Sequence, residues 1–375
     1  MGPLEGLRIL EFQGIGPAPL CGTFLGDMGA DVIRIDRASA PANSDHGALG
    51  RNRRSVGLNL KDPQGVECAL RLIDVADALI DPFRPGVMER LGLGPDICLQ
   101  RNPRIVFGRM TGWGQDGPLA QAAGHDINYI ALTGALDAIG EKGRGPIPPL
   151  NLVGDFGGGG LYLAFGIACG LLEAGRSGLG QVVDAAMVDG SSLLMSMLYG
   201  WRQTGRWTGG RGENMADGGA HFYCCYQCAD DLWISIGSIE PQFYALLREK
   251  LGLDDPAFDA QHDRAQWDDL KAKLAAVFRT RTRNAWCELL EGTDVCFGPV
   301  LHMDEVAAHP HHQARASYIE VDGETQPAPG PRFSRTPGAV VRGRPRGCQH
   351  TLEVLTEFGF KDDELNALQQ SGAIA

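Results

Sequence analysis

No uncharged apolar run in the sequence reaches the roughly 18 residues of a membrane span, so no membrane-spanning segment is predicted. The start, Met1-Gly2-Pro3-Leu4-Glu5-Gly6, has no charged-then-apolar secretion pattern. Ala373-Ile374-Ala375 is not a peroxisomal address, and the expected location is the cytoplasm. Positive charge is in deficit: the net charge of -12 argues against general binding to nucleic acid or to anionic membranes. The ten cysteines lack an export signal, which makes disulfides improbable. Cys224, Cys225 and Cys228 include one C-x-x-C with no second pair or spaced histidine, so buried strand thiols are favoured over a metal or redox site. His309, His311 and His312 read as a solvated loop, and no metal site is expected.

Internal repeats and low-complexity segments are also lacking, although glycine is abundant at 52 residues and implies many tight connections. A chain of 375 residues is long enough for two domains. Strands are predicted at 7–12, 30–36, 78–80, 104–107 and 181–184. Helices alternate with them at about 19–28, from Asp62-Pro63 onward, and at 87–91. That alternation predicts an α/β fold with a Rossmann-like parallel sheet in a large domain, 1–204. The run 157–172 reads as a helix, either buried or packed against a partner, and 188–201 as a second apolar helix. Met197, Tyr199, Trp201 and Trp207 fit an interface or a core stripe equally well. The glycine-rich 205–219 reads as a crossing linker. A small α/β domain at 220–312 follows, with strands at 222–226 and 232–236 and helices at 241–251, 265–278 and 283–290. Residues 313–375 form a return linker and a C-terminal helix, 352–368, packing on the large domain.

Gly14-x-Gly16 with Asp36 downstream imitates a dinucleotide fingerprint. The third glycine is missing, and Pro17 and Pro19 remove N–H groups a pyrophosphate needs, so a tight βα turn is the preferred reading. The segment 34–61 carries Arg34, Arg37, Arg51, Arg53, Arg54 and Lys61 against Asp36 and Asp45, a net charge of +4 in an acidic chain. It reads either as a solvated basic face or as a polyphosphate site suited to coenzyme A.

Gly124-His125-Asp126-Ile127-Asn128-Tyr129 and Asn151-Leu152-Val153-Gly154-Asp155-Phe156 place a histidine and a carboxylate thirty residues apart, each beside small residues. Two such groups, one per substrate face, are what a two-sided proton transfer requires. The glycine-rich, apolar surroundings of Asp155 suit a raised carboxyl pKa. Asp155 can alternatively cap the helix after it, and Glu240 before Pro241 can simply start one.

These blocks, with Arg34-Ile35-Asp36-Arg37, Arg84-Pro85-Gly86-Val87, Gly154-Asp155-Phe156-Gly157-Gly158 and Ile239-Glu240-Pro241-Gln242-Phe243-Tyr244, resemble the α-methylacyl-CoA racemases, a branch of the family III CoA-transferases. The resemblance spans roughly residues 3 to 318. It implies an interlocked homodimer whose active sites lie between the large domain of one subunit and the small domain of the other. It further implies that His125 and Asp155 are the two acid/base groups. Glu240 would then be the small-domain carboxylate that orients the histidine across the interface. Arg37, Leu58, Asn59, Leu60 and Lys61, with Arg84, Gly124, Ile127, Asn128 and Tyr129, become the positions that bind the acyl-CoA substrate. Asp126 is either a second orienting carboxylate or the donor of a backbone N–H to the enolate oxygen. No cofactor is implied beyond the coenzyme A of the substrate. Rival expectations are CoA transfer with Asp155 as nucleophile and a non-catalytic acyl-CoA-binding protein.

Overall fold

The structure, a computed structural model, describes residues 2–41 and 47–375. Asp45 of the basic segment lies outside them. The chain divides into two compact units, 1–133 with 150–194 and 315–375, and 134–149 with 195–314.

The first unit is built on strands β1 (Arg8–Phe12), β2 (Asp31–Arg37), β3 (Arg53–Leu58), β4 (Ala78–Asp81), β5 (Val106–Thr111) and β6 (Gln181–Ala186). They form one parallel sheet in the order β3-β2-β1-β4-β5-β6. Side chains alternate across a strand, so each apolar run fills both faces. Leu10, Phe12, Ile33, Leu79 and Phe107 pack on one face with Val354, Leu355, Leu365 and Leu368 of the C-terminal helices. Ile9, Val32, Ile80 and Val106 meet Ala18, Cys21 and Leu25 of the helix Pro17–Asp27 and Leu163 and Ile167 of the helix Tyr162–Ser177 on the other. The order reverses between β1 and β4, and such a switch point opens a crevice at the carboxyl ends of the strands.

Several local readings need correction. β5 starts two residues later than predicted because Asn102 holds a turn: its side chain accepts from Arg104 N–H, and its carbonyl accepts from Ile105 N–H. The terminal helix is two helices, Thr351–Glu357 and Asp362–Ser371. Gly359, at φ +85°, ends the first of them in a left-handed turn. The stretch 157–172 begins inside a π-helical segment, Leu152–Leu161, which runs on into Tyr162–Ser177. Phe156 N–H reaches back five residues to the Asn151 carbonyl. Leu152–Ser177 is long and apolar enough to cross a membrane by length and composition. Here its Gly166 and Gly170 sit against Val183 and Val106 of the sheet. The fully buried reading does not hold, since Leu161, Phe165 and Leu172 face outward, with Phe165 67% exposed.

In the second unit, β7 (Tyr223–Gln227), β8 (Trp233–Gly237) and β9 (Phe297–Val300) form an antiparallel sheet. Its core holds Phe222, Tyr226, Leu247, Trp267, Phe278 and Trp286. Residues 134–149 and 195–219 belong to this unit and not to a large domain ending at 204 with a linker after it. Arg211 donates to the carbonyl and carboxylate of Asp137 at 2.6 and 2.8 Å, and Lys142 pairs with Asp268 at 2.8 Å. Met197 and Tyr199 are exposed, which removes the core-stripe reading for them. Of the cysteine trio only Cys228 is buried; Cys225 is exposed. The return segment contains a hairpin of its own, β10 (Tyr318–Val321) with β11 (Glu324–Pro327).

The largest correction concerns the basic segment. It conceals β3, whose arginines point inward instead of toward solvent or phosphate. Arg34 is fully buried and forks onto Asp36 through two 2.8 Å bonds. Arg53, 1% exposed, meets Glu11 at 3.0 Å and donates to the Pro19 and Arg51 carbonyls. Arg51 pairs with Asp27, and Arg54 with Asp31 and Glu357. Arg37 and Lys61 remain exposed. A buried guanidinium needs this full set of acceptors, because leaving a partner charge behind is costly. Replacing Arg53 with Ala strands the Glu11 carboxylate, and we expect a loss of about 3–5 kcal/mol in urea unfolding. Arg37→Ala, at an exposed position, should change stability by no more than about 0.5 kcal/mol.

Candidate active site

Two clefts open at the switch point. The smaller, of about 250 Å3, is lined by Gly16 after β1, by Pro82, Phe83 and Arg84 after β4, and by Trp113, Gly124, His125, Tyr129 and Asp155. The larger, of about 790 Å3, is lined by Phe12 and Gln13 at the end of β1, by Arg37–Ser39 at the end of β2, by Leu58–Lys61 at the end of β3, and by Gly372 and Ile374. Phe83 lines both, so the clefts adjoin.

His125 precedes the helix Asp126–Leu132, and its N–H is capped at 3.0 Å by the side chain of Asn128. Asp155 lies within the π-helical segment, not before it, so it does not act as a helix cap. One hydrogen bond ties these two segments together: Asp155 N–H donates at 2.7 Å to Asp126 Oδ1. Asp126 is buried, and among the described residues its Oδ2 has no hydrogen-bond partner. A Cβ on Gly154 would lie 2.4 Å from Asp126 Oδ1, so this approach requires glycine.

The Asp155 carboxyl titrates above its ordinary value, first because of burial and then because of the negative charge of Asp126. A 3.5 Å contact from Asn151 Nδ2 and the nearby His125 oppose the rise. Tyr129 donates its hydroxyl to the Gly124 carbonyl and packs edge-on against Trp113, forming an aromatic wall.

Of the positions expected from sequence, His125, Asp155, Arg84, Gly124 and Tyr129 line the smaller cleft, and Arg37 with Leu58–Lys61 the larger. Ile127 and Asn128 are exposed on the helix beside them. Glu240 lies in the second unit, exposed, at the N-cap of the helix Pro241–Leu251, with no side-chain capping bond. Sequence reasoning missed Asp81, which closes β4 and accepts from Phe83 N–H at 2.9 Å. The available signal was an acidic residue ending a buried parallel strand directly before Pro82.

Two outcomes follow from these carboxylates. Asp126→Asn keeps an acceptor for Asp155 N–H but removes a charge, so the Asp155 pKa should fall when its carboxyl is titrated by carbon NMR. Burial also pushes the Asp81 carboxyl from 3.8 to about 7. A raised carboxyl stabilises the fold fully below its unfolded pKa, and that contribution is lost as pH climbs through its folded pKa. Between pH of about 4 and 7 the wild type should therefore lose more stability than Asp81→Asn in chemical denaturation.

The profile of CoA-transferase family III matches residues 4–351. The chain is 46% identical over 365 residues to the α-methylacyl-CoA racemase of Mus musculus, covering 96% of this chain and 95% of that protein. It is 43% identical over 373 residues to the α-methylacyl-CoA racemase of Homo sapiens, covering 99% and 97%. Among solved structures it is similar to a CAIB/BAIF family protein from Brucella suis, with a TM-score of 0.82 at 25% identity, covering 95% of this chain and 99% of that one. Matched nearly end to end by sequence and by fold, the chain belongs to CoA-transferase family III.

Proposed function

We propose that the protein is a racemase that interconverts (2R)- and (2S)-2-methylacyl-CoA thioesters through an enolate. The observation that carries this reading is the pairing of His125 with an Asp155 of raised pKa in one cleft. A thioester α-proton is weakly acidic, so its removal needs an oriented base and a stabilised enolate oxygen. Neutral His125 takes the proton from one face, and protonated Asp155 returns one to the other. The configuration inverts, leaving His125 charged and Asp155 ionised, and the reverse reaction exchanges their roles. We assign the Asp126 N–H, which opens its helix, to the enolate oxygen, and its side chain to positioning Asp155. Both proton carriers are side chains and the substrate carries its own coenzyme A, so the cycle closes without a metal or redox cofactor.

The nucleotide end of the thioester is assigned to the larger cleft, where exposed Arg37 and Lys61 supply cations for phosphates. Leu58, Asn59 and Leu60 line its wall, and Arg84, Gly124, Ile127, Asn128 and Tyr129 surround the acyl end. The outward Leu161, Phe165, Leu172, Leu193 and Leu194 supply the apolar area for a homodimer. In that dimer Glu240 of a second copy would orient His125.

The test uses one pure enantiomer of a 2-methylacyl-CoA in deuterated water, without an acid acceptor. Deuterium uptake at the α-carbon should accompany loss of optical purity. His125→Ala and Asp155→Asn should each slow interconversion at least ~100-fold. Absence of exchange, with coenzyme A transferred once a carboxylic acid is added, would make Asp155 a nucleophile and end the racemase reading.

A further inference from the structure

β3 is the edge strand of the parallel sheet, so its outer N–H and C=O groups need partners from elsewhere. They come from the distant segment 342–375. Asn52 N–H donates to the Arg342 carbonyl at 2.9 Å, and His350 N–H to the Ser55 carbonyl at 2.8 Å. Gly57 N–H donates to Thr351 Oγ1 at 3.0 Å. At the cleft end of the strand the partner is Gly372–Ala375. Ala375 N–H donates to the Gly57 carbonyl at 3.2 Å, and Asn59 N–H to the Ala373 carbonyl at 2.8 Å. Leu58 and Ile374 form an antiparallel bridge between them. Asn59 Nδ2 adds a 3.4 Å contact to the Gly372 carbonyl.

Gly372–Ala375 is itself fastened, since the N–H groups of Ala373 and Ile374 both reach the Leu368 carbonyl. Ala373 and Ile374 are buried at 0% and 3% exposure, yet Gly372 and Ile374 line the larger cleft beside Asn59, Leu60 and Lys61. The turn carrying these three residues is otherwise held locally, through Asp62 N–H to the Asn59 carbonyl and Lys61 N–H to Asn59 Oδ1. A wall of three partly or fully exposed residues is thus bonded through its backbone to a segment more than three hundred positions later, whose Ala373 and Ile374 are buried.

We propose that Gly372–Ala375 is a positioning segment for the nucleotide end of the substrate, holding the wall Leu58–Lys61 in its binding shape. The inference rests on the reading that the larger cleft takes coenzyme A. A preformed wall lowers the cost of ordering protein groups around a ligand, so its loss weakens binding without altering proton transfer. The segment therefore acts on KM and on coenzyme A affinity, while kcat is set at His125 and Asp155.

The test compares wild type, a chain ending at Ser371, and Ala375→Pro, which keeps the segment but removes the N–H donated to Gly57. The dissociation constant of coenzyme A is measured by calorimetry. Racemisation kinetics are measured with a 2-methylacyl-CoA and with the matching 2-methylacyl-pantetheine thioester, which lacks the nucleotide. Shortening should raise the coenzyme A Kd and the KM of the CoA ester roughly tenfold, with kcat within about twofold and the pantetheine ester unaffected. Ala375→Pro should move the same constants in the same direction by less, and it carries the test if the shortened chain does not fold by circular dichroism. Equal losses on both thioesters would make the segment merely structural and overturn the proposal. Unchanged affinity in both variants, beside a wild type that binds coenzyme A far more tightly than pantetheine, would overturn it while leaving the cleft reading intact. A wild type that binds the two equally would remove the cleft reading and the proposal with it.

Discussion

The hydrogen bond from Asp155 N–H to Asp126 Oδ1 fixes the geometry of the candidate site. His125 and Asp155 are carried by different segments, one leading into a short α-helix and the other inside a π-helical stretch. Neither segment alone determines where the other's side chain stands. The Asp126 carboxylate, one residue after His125, grips the backbone of the second group directly, and the bare Cα of Gly154 lets it approach. The same carboxylate places a negative charge near Asp155 and raises its pKa. One carboxylate therefore ties the two segments together and adds to the burial that raises the Asp155 pKa.

The sheet and the site were legible in the sequence to different depths. Buried parallel strands are continuous apolar runs, so β1, β2 and β4 could be read directly from 7–12, 30–36 and 78–80, while β6, a largely exposed edge strand, could be read from the short apolar pair Val182-Val183 within 181–184. The Asp62-Pro63 helix start could also be read, since a carboxylate before proline has one common use; Asp62 accepts from Gln64 N–H as that use requires. β3 could not be read, because Arg53 and Arg54 mask its apolar character. Their carboxylate partners lie on other strands, Asp31 on the adjacent β2 and Glu11 on β1 beyond it, far away in sequence. Charge counted along a chain cannot distinguish a solvated patch from arginines paired across a sheet. In the site, the block Gly124–Tyr129 pointed to His125, but the grip of Asp126 on Asp155 is a tertiary contact without a local pattern.

The internal ion pairs also change how the net charge is to be read. Arg34, Arg51, Arg53 and Arg54 are matched by buried or half-buried carboxylates, so most of the positive charge in 34–61 is spent inside the protein. What reaches the larger cleft is Arg37 and Lys61, at the ends of β2 and β3. Asp36 links the buried arginines to the cleft edge: it accepts from both Arg34 and Ser55, joining β2 to β3 one residue before Arg37. The buried cations do not line the cleft; their charge is met by carboxylates within the protein.

The two readings of Asp155, acid and nucleophile, place demands on its carboxyl that exclude one another. A nucleophile that forms an anhydride must be ionised when substrate arrives, whereas an acid that reprotonates an enolate must hold its proton. Partial burial and the adjacent Asp126 charge both favour the protonated form, and only a long contact from Asn151 and the nearby His125 oppose them. An ionised Asp155 would place two carboxylates side by side, with Asp126 Oδ2 already lacking a partner among the described residues. Protonation of Asp155 relieves that repulsion and, in the proposed mechanism, supplies the proton that inversion needs. The local field therefore favours the protonated carboxyl, the form that the proposed acid role requires and a nucleophile does not.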